Sequence, residues 1–125
     1  MVQTALRMVR EGVIIQGGCF GYIDEVFDRA GYGPRERRTV HRRSLQGPYV
    51  DLDRVRPGDW LLYVNHPERT PIGTHSVIFL GWEDRRAGRA RVVTYRGNNT
   101  RRPGDLRVYE ISRVYGIVRA VAPEA

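Results

Sequence analysis

From Cys19 to Ala30 the apolar residues Cys19, Tyr22, Ile23, Val26, Phe27 and Ala30 recur at three- and four-residue intervals, with Asp24, Glu25, Asp28 and Arg29 between them. That spacing puts the apolar set on one face of a helix and the charged set on the other. Gly31 suits the left-handed residue that ends a helix, and Pro34 prevents its resumption. A shorter helix is predicted over residues 2–10, where Val2, Ala5, Leu6 and Val9 fall at helical spacing before Glu11 and Gly12 close it. Between the two, Val13-Ile14-Ile15 runs into Gln16-Gly17-Gly18, and the paired glycines break regular structure immediately before Cys19.

Residues 35–46 are polar and basic and read as a loop with at most a short irregular turn. After Gly47-Pro48 the period changes from helical to extended. Pro57-Gly58-Asp59 makes a turn that feeds a strand over residues 60–64. Residues 65–74 form a polar loop with two prolines. Strands over 75–82 and 91–96, joined by the charged turn 83–90, form an antiparallel hairpin. A second loop over 97–105 leads to strands at 106–111 and 114–121. Helices come first and a sheet afterward, which indicates an α+β fold with N-terminal helices packed on an antiparallel β-sheet. The 125 residues, 41% hydrophobic, suit a single domain over residues 1–125 with one modest core.

Charge narrows the choice of partner only a little. The formal net charge is +7, and all 21 basic residues are arginine. A basic surface favours an anionic partner, but the arginines are scattered and no recognition helix surrounds them, so nucleic acid is not expected. No run approaches the roughly 18 apolar residues that span a bilayer, and no membrane span is expected. The opening MVQTALRMVREG lacks the continuous apolar core of a signal peptide. That leaves a cytoplasmic protein, export by another route, or a leader absent from the sequence. A monomer is expected. The single cysteine excludes an internal disulfide and any multi-cysteine metal site.

One thiol is still enough for a nucleophile. A cysteine in the first turn of a helix meets unpaired backbone N–H groups and the positive end of the macrodipole. Gly17 and Gly18 allow close backbone approach and an N–H for an oxyanion hole. Taken alone, Cys19 reads as an ordinary buried thiol. His75 begins the most apolar strand, on the same face as Val77, Phe79 and Gly81. If that face turns toward the helix, the imidazole can meet the thiol, the pairing a cysteine nucleophile requires. His66 is the second candidate base, in a loop that can fold over the site, and His41 reads as solvated. A catalytic histidine also needs a polar partner to fix its tautomer. A hairpin turn centred near Arg86 and Ala87 puts Asn98 opposite His75; a register shift substitutes Arg96, and a bulge brings Thr94.

Three segments, in order and spacing, resemble the NlpC/P60-like superfamily of papain-related cell-wall peptidases and amidases. Gly18-Cys19-Phe20-Gly21-Tyr22-Ile23 is similar to the family's Asp-Cys-Ser-Gly-Phe-Val. Pro57-Gly58-Asp59-Trp60-Leu61-Leu62-Tyr63 matches its Pro-Gly-Asp strand entry, and His75-Ser76-Val77-Ile78-Phe79-Leu80-Gly81 is similar to His-Val-Gly-Ile-Tyr-Leu-Gly. The resemblance covers residues 13–98. It implies a papain-like core, Cys19 as nucleophile, His75 as base and Asn98 as third catalytic residue. It also implies peptidoglycan stem peptides as substrate, a cell-envelope or secreted location, and neither metal nor organic cofactor. Gly18 and Phe20 replace the family's aspartate and serine, and Arg96 stands where amidase-like branches carry glutamate, so the polar surroundings of the thiol differ. The alternatives are a deamidase, acyltransferase or delivered toxin on the same scaffold, and a non-catalytic binding module whose groove is lined by Trp60, Tyr63, Trp82 and Tyr95.

Overall fold

The computed structural model describes residues 1–69, 73–95 and 102–121. Helices α1 (Val2–Arg10) and α2 (Cys19–Arg29) precede strands β1 (Arg37–Arg42), β2 (Trp60–Val64), β3 (Thr74–Asp84), β4 (Arg89–Thr94), β5 (Asp105–Glu110) and β6 (Val114–Ala120). The strands form one antiparallel sheet in the order β1-β6-β2-β3-β4-β5. The fold is therefore α+β, with its helices at the N-terminal end of the chain. Among the described residues no helix is long and apolar enough to cross a membrane.

The stretch expected as a basic loop instead contains the edge strand β1. Its pairing with β6 supplies the backbone hydrogen bonds that sequence pattern does not advertise. The Arg37 guanidinium is held by Asp24 and Asp28 of α2 and lies 5.1 Å from the centre of the Phe27 ring. Arginine stems can cover apolar surface while their heads stay charged, so a strand of this composition is stable at an edge.

The sheet is strongly curled, for a reason of length. In a flat sheet β5 and β6 would lie four interstrand spacings apart, about 19 Å. Residues 111–113 join Glu110 to Val114, and a chain that short reaches only about 14 Å. The far edge must therefore turn back toward β6. The curl encloses one apolar cluster, in which Leu61, Tyr63, Val77, Phe79, Val92 and Ile117 meet. The outer face carries Trp60, Ile78 and Val93, which pack against Ala5, Met8, Ile23, Val26 and Phe27 of the helices. The face shared by Val77 and Phe79 thus points into the curl, and the alternate residues of β3 meet the helices, the reverse of the expectation. Both faces are buried, so alternation alone had no polar side by which to orient the strand.

Pro57-Gly58-Asp59 anchors the entry to β2. Gly58 has φ +92°, a left-handed conformation that favours glycine. Its N–H donates to the Phe79 carbonyl at 2.8 Å, and the Phe79 N–H donates to the Asp59 carbonyl at 2.9 Å. Asp59 is 1% exposed, and its side chain accepts hydrogen bonds from Arg119 Nε and Nη2 at 2.8 Å each, and from the Arg56 N–H at 2.8 Å.

Candidate active site

Cys19 and His75 line one cavity of about 640 Å³, together with Gly18, Tyr63, His66, Tyr95 and Tyr109 among others. The thiol reaches it from the first residue of α2. Gly18 caps that helix without a side chain, so no side-chain hydrogen bond caps the first turn, and the backbone amide of Cys19 remains a candidate donor toward the cavity. Gly17, with φ +110°, makes the turn that delivers the chain to this point. Phe20, 62% exposed, stands beside Trp60 at 4.7 Å between ring centroids. The position next to the thiol is accordingly apolar.

His75 arrives from β3. Its Nε2 lies 2.6 Å from the Thr94 hydroxyl, and its ring meets Tyr63 and Tyr109 edge-on at 5.9 and 6.2 Å. Thr94 is 1% exposed. Two irregularities in the β3–β4 ladder, between Phe79 and Gly81 and between Trp82 and Asp84, slip the register relative to a regular hairpin. Thr94 thereby becomes the hydrogen-bonding partner, one of the alternatives open in the sequence. Asn98 and Arg96 lie outside the described residues.

The next residue, Tyr95, holds the other half of the site. Its hydroxyl accepts from the Ile15 N–H at 3.0 Å and donates to the Ile15 carbonyl at 2.8 Å. Its ring stacks on Tyr22 of α2, 4.4 Å between centroids. Successive strand residues point to opposite faces, so Thr94 fixes the imidazole on the inner side while Tyr95 ties down the loop that presents the thiol. The role of Tyr95 was not assigned from the sequence, where Thr94 stood as one alternative partner for His75. The available signal was a Thr-Tyr pair closing a buried strand, each with a polar tip that needs a partner. Tyr95→Phe should cost about 1–2 kcal/mol for the two lost bonds, and thiol alkylation should become less uniform as the loop loosens. Urea unfolding and iodoacetamide kinetics read these two effects.

Burial lowers the His75 pKa from 6.5 to about 4, so the imidazole is neutral near pH 7. In the unfolded chain it takes up a proton near 6.5, and in the folded chain only near 4. The stability this group contributes is therefore complete above pH 6.5 and is lost as pH falls toward 4. Between pH 7 and 4.5 the wild type should lose roughly 2–3 kcal/mol more in urea unfolding than His75→Gln. Equal losses would contradict the shift.

His66 also lines the cavity, half-exposed, with Nδ1 3.3 Å from Glu68. His41 lies on β1, away from the cavity lining. Among the described residues no group of three or more His, Cys, Asp or Glu is placed to hold a metal ion. The four aromatics considered for a binding groove divide between the two clusters: Trp60 and Tyr95 on the helix side, Tyr63 and Trp82 inside the curl. They do not form one stacking surface. Comparison with models of known families, with curated proteins and with solved structures finds no match to this chain.

Proposed function

We propose that the protein is a cysteine hydrolase that cleaves an amide bond, with peptidoglycan stem peptides as its substrate class and an NlpC/P60-like, papain-related core. The observation that carries this reading is the opening of a helix-start thiol and a neutral, hydroxyl-anchored imidazole into one cavity. A nucleophile, a base and an orienting group are the parts such chemistry requires.

His75 takes the thiol proton, and the Cys19 sulfur attacks the amide carbonyl carbon. The carbonyl π pair moves onto oxygen, giving a tetrahedral oxyanion that the backbone N–H of Cys19 can stabilise. As the oxyanion collapses the C–N bond breaks, and the imidazolium returns its proton to the leaving amine. Water, deprotonated by the same imidazole, then attacks the thioester and releases the carboxylic acid and the thiol. The tautomer this sequence requires carries its hydrogen on Nε2, donated to the Thr94 oxygen, with the lone pair on Nδ1.

The test is digestion of purified peptidoglycan followed by chromatography and mass spectrometry of the muropeptides. New fragments with free amino termini are expected from the wild type. An unchanged muropeptide profile would contradict the substrate class, and transfer of the acyl group to an added amine would point to an acyltransferase.

A further inference from the structure

The backbone N–H of Cys19 is a single oxyanion donor in the proposed mechanism, and oxyanion sites generally converge two or more donors on the developing charge. Tyr63, a cavity-lining residue, carries another polar hydrogen. It pairs directly with His75 across β2 and β3, which puts both side chains on one face. It is 3% exposed and lines the same cavity as Gly18 and Cys19. Its apolar neighbours in the inner cluster, Leu61, Val77 and Val114, would accommodate phenylalanine equally well, so packing does not explain the hydroxyl.

Two neighbouring polar tips are already engaged. Tyr95 exchanges hydrogen bonds with Ile15, and Thr94 is bonded to His75. Burial pushes the Tyr63 phenol well above its ordinary pKa, and Tyr109, Cys19 and Glu110 add to the effect. The group accordingly keeps its proton at neutral pH.

We infer that Tyr63 is the second oxyanion donor, its phenolic O–H hydrogen-bonding the scissile carbonyl oxygen as that oxygen gains charge. The inference rests on the hydrolase reading. The tetrahedral intermediate forms as already written; Tyr63 keeps its proton and lends only a hydrogen bond, which strengthens when the oxygen becomes anionic.

Two reactions of the same thiol separate this role from others. Acylation by an activated p-nitrophenyl ester passes through an oxyanion, and alkylation by iodoacetamide does not. Tyr63→Phe should slow acylation on the order of 10²-fold, chiefly in the rate constant rather than in KM, while alkylation changes by less than about twofold. Wild-type acylation that persists undiminished in Tyr63→Phe would overturn the proposal alone. An equal fall in both reactions would also overturn it, because Tyr63 would then act on the thiol or on the fold. A wild-type thiol that is alkylated but never acylated would sink the hydrolase reading together with the proposal.

Discussion

Cys19→Ala is expected to lower amide cleavage by on the order of 10⁴-fold or more, because no other side chain in the site can form the thioester. Cys19 is half-buried at a helix start, and alanine is a good helix former, so the melting transition should move little. His75→Ala should be nearly as damaging. The double variant should be no worse than the more damaging single one, since the proposed nucleophile and base would act as one unit. Muropeptide release by the three variants, with circular dichroism to confirm folding, measures this. Multiplicative losses would mean that the residues contribute separately.

Asp59→Ala should destabilise the fold by on the order of 4 kcal/mol, the range for removing one partner of a buried ion pair. Asp59 is the better buried member, with side-chain exposures of 22% for Arg119 and 2% for Asp59. Alanine would remove both carboxylate contacts to the guanidinium and leave the Arg56 N–H without its acceptor. The same aspartate follows the Gly58 turn that locks β2 to β3, so the loss propagates to the strands that carry Tyr63 and His75. The urea midpoint reads the effect. The double variant Asp59→Leu/Arg119→Met should recover part of it, since apolar replacement of a buried pair is often tolerated.

These two positions illustrate what could be read before the fold was known. The periodicity of residues 19–30 was sufficient to place Cys19 at a helix start, because an amphipathic helix bounded by glycine leaves few alternatives. The apolar runs at residues 60–64 and 75–82 were recognisable as strands because they are rich in β-branched and aromatic residues and follow turn or loop segments. Pro57-Gly58-Asp59 was legible as a turn. The burial of Asp59 was not, since its partner Arg119 is 60 residues away. Strand β1 was hidden because Val40 is its only apolar residue and its stability comes from pairing and from α2 carboxylates. The partner of the imidazole stayed open among Asn98, Arg96 and Thr94 because bulges, which leave little mark in sequence, decide the register; among the described residues Thr94 is bonded to it. Reversed facing of β3 has a related origin: curling of the sheet buries both sides, and it follows from the short β5–β6 link rather than from any residue of β3.

The most direct test of the Cys19–His75 pairing needs no knowledge of the substrate: the rate of iodoacetamide alkylation of Cys19 at pH 7, in the wild type and in His75→Gln. With the imidazole as base, the variant should react on the order of 10²-fold more slowly. Equal rates in two folded proteins would contradict the pairing.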